Sequence, residues 1–115
     1  MDFTFDFIRV FSIALLYAAP LTISLILIIV ILGHIVGKLE GWSKSDSLYY
    51  SFITATTVGY GDFRPSKKMA KLLAVIIAFT GLVFTGIIVA IAIHSATHAF
   101  KTTHDATKIL EQVYK

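Results

Sequence analysis

Residues 56–62 read Thr56-Thr57-Val58-Gly59-Tyr60-Gly61-Asp62, and no regular helix continues through a run in which two glycines bracket a tyrosine. An ordinary strand sends successive carbonyls to opposite sides. Pointing several the same way requires residues that accept positive φ, which Gly59 and Gly61 do without a Cβ penalty. Just upstream, Leu48-Tyr49-Tyr50-Ser51-Phe52-Ile53 is apolar but too brief to cross a hydrocarbon core of about 30 Å, which takes about 20 helical residues. The spacing predicts a short re-entrant helix over 46–56, with Asp46 in its first turn and Ser45 or Ser47 as its cap.

Outward from this segment lie the two stretches able to span. From about Leu21 to Val36 the chain is apolar all round, which predicts an outer helix over 20–38 stopped by the run from Gly37 to Trp42. From Met69 to about Ala96 a second stretch predicts an inner helix over 69–97. Its roughly 28 residues rise about 42 Å, so it must tilt or project beyond the bilayer. Of the 115 residues, 57% are hydrophobic and 15% charged. That balance marks a membrane protein and excludes a disordered tail or a nucleic-acid-binding module, despite a net charge of +3. The absence of cysteine removes disulfide frameworks, thiolate metal sites and cysteine nucleophiles. Within residues 1–19, Phe3, Phe7, Val10, Phe11 and Ala14 recur at helical spacing while Asp2, Asp6 and Arg9 fall elsewhere. Two readings stand: an amphipathic helix lying in the interface, or an outer helix that starts near Ile8 and kinks at Pro20. No basic stretch precedes an apolar run in the manner of a signal peptide.

Placed after a short amphipathic helix and between two spanning helices, Thr57 to Gly61 matches a selectivity filter residue for residue. Over about residues 20–98 the chain resembles the two-transmembrane-helix, prokaryotic-type potassium channel pore domain. The resemblance implies an all-α membrane fold of outer helix, re-entrant pore helix, extended filter at 57–61 and inner helix, assembled as a four-fold symmetric homotetramer. It implies passive conduction of potassium ions across the cell membrane, both termini cytoplasmic, with neither enzymatic activity nor a cofactor nor a nucleic-acid partner. Potassium would be held by the carbonyls of Thr57, Val58, Gly59 and Tyr60 and by the Thr57 hydroxyl, with Gly61 completing the filter. The chemistry agrees, because a cation sheds its water only where a cage of oxygens compensates the loss, and one chain supplies a quarter of that cage. Unpaired backbone at membrane depth is tolerated only inside protein or along a water-filled cavity, which also demands partner copies. Two alternatives are a less selective cation channel of the same architecture and a non-conducting two-helix membrane anchor, which leaves 57–62 without a role.

The resemblance also assigns supporting roles. Relatives pack the filter tyrosine against pore-helix aromatics, matched here by Tyr49 and Tyr50, with Phe52 nearby. Where some place a carboxylate facing the filter aspartate, this chain has Ile53, leaving the Tyr49 hydroxyl as the donor expected for Asp62. The pore-helix C-terminus near Thr56 aims its partial negative charge at the cavity. Arg64 stands where an aromatic ring in relatives favours external block by quaternary ammonium ions. Gly81 aligns with a gating hinge, with Gly86 following; close packing against the pore helix is the competing explanation. Leu82, Thr85, Val89 and Ile93 share one helical face and are candidates to line the cavity or to face lipid.

Charge gives further expectations. No Asp or Glu lies between Asp62 and Asp105, so strong inward rectification is not expected, and no helix carries the spaced arginines of a voltage sensor. His94 and His98, four residues apart, read as interfacial histidines or as a metal pair. Lys38, Lys44, Arg64, Lys67, Lys68 and Lys71 cluster around the outer loop, against Arg9, Lys101, Lys108 and Lys115 on the inner segments. The positive-inside rule alone inverts the orientation; the polarity of the filter motif decides it the other way. Residues 99–115 form a cytoplasmic C-terminal tail with Ile109, Leu110 and Val113 on one stripe. It reads either as a short assembly helix or as the end of an excised pore whose cytosolic regulatory domain is missing from this chain.

Overall fold

A computed structural model describes residues 2–114, the side chain of Ala106 excepted. The elements are α1 (Phe3–Tyr17), α2 (Ala19–Glu40), α3 (Lys44–Ala55) and α4 (Lys68–Tyr114), and among the described residues there is no strand. As the sequence predicts, two helices, α2 and α4, are long and apolar enough to cross a membrane.

Helix boundaries depart from the sequence expectations for local reasons. Asp2 caps α1, its carboxylate accepting from the Thr4 N–H at 3.2 Å. α1 ends at Tyr17 and α2 begins at Ala19, with Ala18 alone between them in right-handed backbone. Pro20 falls in the first turn of α2, where a missing N–H removes no helical bond. α2 runs through Gly37, where a stop was expected, and ends only at Gly41, whose φ of +77° is left-handed. The cap of α3 is Ser43, not Ser45 or Ser47: its Oγ accepts from the Asp46 N–H at 3.1 Å. α4 does not end near Ala96 but continues as one helix to Tyr114, since the tail contains neither glycine nor proline to stop it.

The chain divides into two compact units. The unit Pro20–Gly86 has a core of Ile29, Val36, Tyr50, Ala55, Ala70 and Ile77, with Leu32, Leu39, Trp42 and Phe63 packed against it. Three glycines seat α3 in this unit. A methyl group on Gly33 would collide with the Ser51 side chain, one on Gly37 with that of Ser47, and one on Gly81 with the backbone of Ala55. The two serines are buried, and their hydroxyls are satisfied within α3, Ser47 donating to the Ser43 carbonyl at 2.8 Å and Ser51 to the Ser47 carbonyl at 2.7 Å. Packing alone therefore accounts for a glycine at position 81. At Gly86 a Cβ would meet nothing within 4 Å.

Residues up to Ala19, together with those from Ile87 onward, form the other unit. Along α1 the rings of Phe3, Phe7 and Phe11 stack with centroids 6.4 and 5.7 Å apart. Asp6, expected on a solvated face, is fully buried, and neither carboxylate oxygen accepts a hydrogen bond; the Arg9 guanidinium approaches to 3.8 Å. The reason is register: Asp6 lies one turn from Val10 and two from Ala14, on the stripe that α1 turns inward. Among the described residues of α4 in this unit, Ser95 and Ala99 are fully buried.

Because rigid backbone and short side chains leave no room to yield, Gly33→Val is expected to destabilise the protein by about 1–3 kcal/mol. Gly86→Ala, with open space around it, should be neutral or gain up to about 1 kcal/mol. Thermal unfolding of the two variants in detergent compares them directly.

Candidate functional site

The segment between α3 and α4 begins by folding across the C-terminus of α3. The Thr56 N–H donates to the Phe52 carbonyl at 2.9 Å, Thr57 to Thr54 at 3.3 Å, and Gly59 to Ile53 at 3.1 Å; the Thr56 hydroxyl also bonds the Phe52 carbonyl. Carbonyls that a helix end would otherwise leave unpaired are thereby used. Gly59 and Gly61 have φ of +53° and +84°, the left-handed backbone anticipated for them, and Thr57 joins them at +65°. The left-handed threonine is unanticipated, because a β-branched residue rarely adopts that region and doing so costs about 1–3 kcal/mol. Every residue from Thr57 to Gly61 is exposed, Tyr60 to 74%.

Behind this segment stands an aromatic cluster. Trp42 meets Tyr50 edge-on at 4.9 Å and Phe63 at 5.3 Å, and Phe63 meets Tyr49 at 6.0 Å. Tyr49 and Tyr50 are thus brought together with Trp42 and Phe63. Asp62 accepts from the Phe63 N–H at 3.2 Å. Desolvation, then hydrogen bonding to Asp62 and its charge, pushes the Tyr49 hydroxyl above its ordinary pKa. Arg64 folds back, its Nε donating to the Gly61 carbonyl at 3.1 Å, so its charge is tethered to the end of the 57–61 segment.

A residue the sequence reading missed ties the far end down. One carboxylate oxygen of Glu40 accepts from the N–H groups of Ser66, at 2.6 Å, and Lys67, at 2.9 Å, and the other from the Ser66 hydroxyl at 2.7 Å. Glu40, at the end of α2, thus holds the two residues that lead into α4. The available signal was a carboxylate in the last turn of a helix, where the macrodipole disfavours it and a compensating partner is needed. Elsewhere on α4, Leu82, Thr85, Val89 and Ile93 are all exposed, as are His94 and His98. Among the described residues no three His, Asp or Glu side chains gather to hold a metal ion.

Comparison with known proteins places the chain. A family model described as an ion channel matches residues 21–98. The TWiK family of potassium channels protein 7 of Caenorhabditis elegans is 42% identical over 53 residues, 46% of this chain and 10% of that protein. Potassium channel protein 1 of Methanocaldococcus jannaschii is 38% identical over 60 residues, 52% of this chain and 18% of that protein. Two-pore potassium channel 1 of Arabidopsis thaliana is 46% identical over 41 residues, 36% of this chain and 11% of that protein. The matched stretch is thus a small part of each of these longer relatives. No solved structure matches significantly.

Glu40→Gln, which keeps the shape but removes the charge, is expected to lower the melting temperature. Glu40→Ala should lower it further by leaving the Ser66 and Lys67 N–H groups without their acceptor. Tyr49→Phe should accelerate hydrogen exchange at Phe63, whose N–H bonds Asp62, leaving exchange in the middle of α2 unchanged.

Proposed function

This chain belongs to the ion channel family, and from that premise we propose that it is the pore-forming subunit of a potassium-selective channel, assembled as a homotetramer in the plasma membrane with both termini cytoplasmic. The observation that carries the reading is the exposed Thr57–Gly61 backbone, with left-handed glycines, at the end of a short helix wedged by glycines beside helices able to span. The printed names of the relatives, potassium channels from an animal, an archaeon and a plant, agree with it.

A channel performs no bond chemistry; it replaces water. Four copies of residues 57–61 around one axis set the carbonyls of Thr57, Val58, Gly59 and Tyr60, with the Thr57 hydroxyls, in successive rings. Potassium exchanges its hydration shell for these oxygens at little cost. The C-terminal end of α3 stabilises the hydrated ion before entry. Gly61, Asp62 and the Tyr49 hydroxyl hold the outer end, and Tyr60 finds its aromatic neighbours, Tyr49 and Tyr50, across a subunit boundary. Leu82, Thr85, Val89 and Ile93 line the inner passage. Of the two hinge candidates, Gly86 is the one whose missing side chain no neighbour in the chain requires, whereas Gly81 is engaged with Ala55. Residues 20–98 are the pore domain, preceded by the helix of 1–19 and followed by the tail of 99–115.

Bi-ionic reversal potentials of the reconstituted protein test this reading. They are expected to follow the potassium gradient; equal sodium permeation would reduce the protein to an unselective cation pore, and a monomer without flux would make it an anchor. Gly59→Ala, which cannot hold a φ of +53° without strain, should bring potassium flux to background. With Arg64 tethered at the mouth, external tetraethylammonium should block weakly, and Arg64→Tyr should create sensitivity through cation–π contact.

A further inference from the structure

The structure sorts the four histidines of the chain. His34 has its Nδ1 2.8 Å from the Val30 carbonyl, and the ring of His104 stacks on Phe100 with centroids 6.3 Å apart. His94 and His98 are exposed, and among the described residues neither imidazole has a hydrogen bond, an ion pair or a ring contact. The two unengaged rings are thus the two that stand four residues apart. Because α4 does not stop near Ala96 but runs unbroken through both, they occupy successive turns of one helix, with Cβ atoms about 5–6 Å apart. At that spacing two helical histidines grip one ion between them, each nitrogen reaching it at about 2.0–2.1 Å.

Position along α4 leaves the pair open to water. Counted from Lys71, the last charged residue before the apolar run, His94 lies 23 residues on, a rise of about 35 Å. Even at a tilt of about 20° this exceeds a hydrocarbon core of about 30 Å. The pair also avoids the other uses of the helix. It lies off the stripe of Leu82, Thr85, Val89 and Ile93, and off the face on which Ser95 and Ala99 are buried. The neighbouring hydroxyls do not compete for it, since Ser95 donates to the Ile91 carbonyl at 2.8 Å and Thr102 to the His98 carbonyl at 3.0 Å. Beyond His98 the same side carries Lys101 and then Asp105, both exposed, whose opposite charges largely cancel. Paired imidazoles suit zinc, copper and nickel, whereas magnesium and calcium take oxygen ligands. We propose that His94 and His98 chelate one divalent transition-metal ion of the zinc class, water completing its shell. The site rests on α4 crossing a membrane and not on ion conduction.

Isothermal titration calorimetry of the full chain in detergent, free of any purification tag, tests it with Zn²⁺ and Mg²⁺ as probes. One Zn²⁺ should bind per chain and Mg²⁺ should not bind. Zn²⁺ should also slow hydrogen exchange in the turn 94–98 and raise the melting temperature. His94→Ala and His98→Ala should each weaken Zn²⁺ binding about tenfold or more, while His34→Ala and His104→Ala leave it unchanged. His98→Thr with Thr97→His returns the second imidazole three residues from His94, still beside it, and should recover most of the affinity lost in His98→Ala. Absence of Zn²⁺ binding overturns the proposal, as does binding that survives both alanine variants or falls equally in all four. Half an ion per chain overturns it too, by dividing the ligands between copies, and so does Mg²⁺ binding as tight as that of Zn²⁺. The titration needs no ion gradient, so absence of potassium flux would remove the channel reading and leave this result standing.

Discussion

A short helix can seat itself between two long apolar ones only where small residues let the backbones approach closely. In the unit Pro20–Gly86 that closeness is obtained with hydrogen atoms in place of side chains at Gly33 and Gly37 on α2 and Gly81 on α4. Ser47 and Ser51 can face the glycines of α2 because each hydroxyl has already found a carbonyl in its own helix. The place where 57–61 leaves α3 follows from this seating: Ala55, against which Gly81 is pressed, is the last residue of the helix.

From there the chain is fixed at both ends and free between. Phe52, Ile53 and Thr54 supply carbonyls to the N–H groups of Thr56, Gly59 and Thr57, and Glu40 grips Ser66 and Lys67. The rings of Trp42, Tyr49, Tyr50 and Phe63 fill the space behind. Such double anchoring can sustain a left-handed threonine, a conformation that persists only when its surroundings over-determine it. Between these anchors Thr57 to Gly61 nevertheless stay exposed.

The unit of α1 and the end of α4 obeys a different logic. Among the described residues its buried ones are small or polar, Asp6, Ser95 and Ala99, where a soluble core would place leucine and isoleucine. A carboxylate without a hydrogen bond is expensive to bury, and the Arg9 guanidinium at 3.8 Å offsets only part of that cost.

Much of this could be read from the chain without coordinates. The lengths of two apolar stretches set the number of spanning helices, since the bilayer imposes a thickness. Gly59 and Gly61 announced left-handed backbone because only glycine adopts it freely, and the string Thr57–Gly61 within its frame carried the family. These are local properties, legible wherever a residue's own sterics or hydrophobicity decides. What only the tertiary structure decided are relations between distant positions: Glu40 with Ser66, Gly33 with Ser51, Trp42 with Phe63, and the burial of Asp6. Sequence spacing is silent there, because which partner fills a glycine's vacancy or meets a carboxylate depends on how helices cross, and that is settled by the packing of whole surfaces.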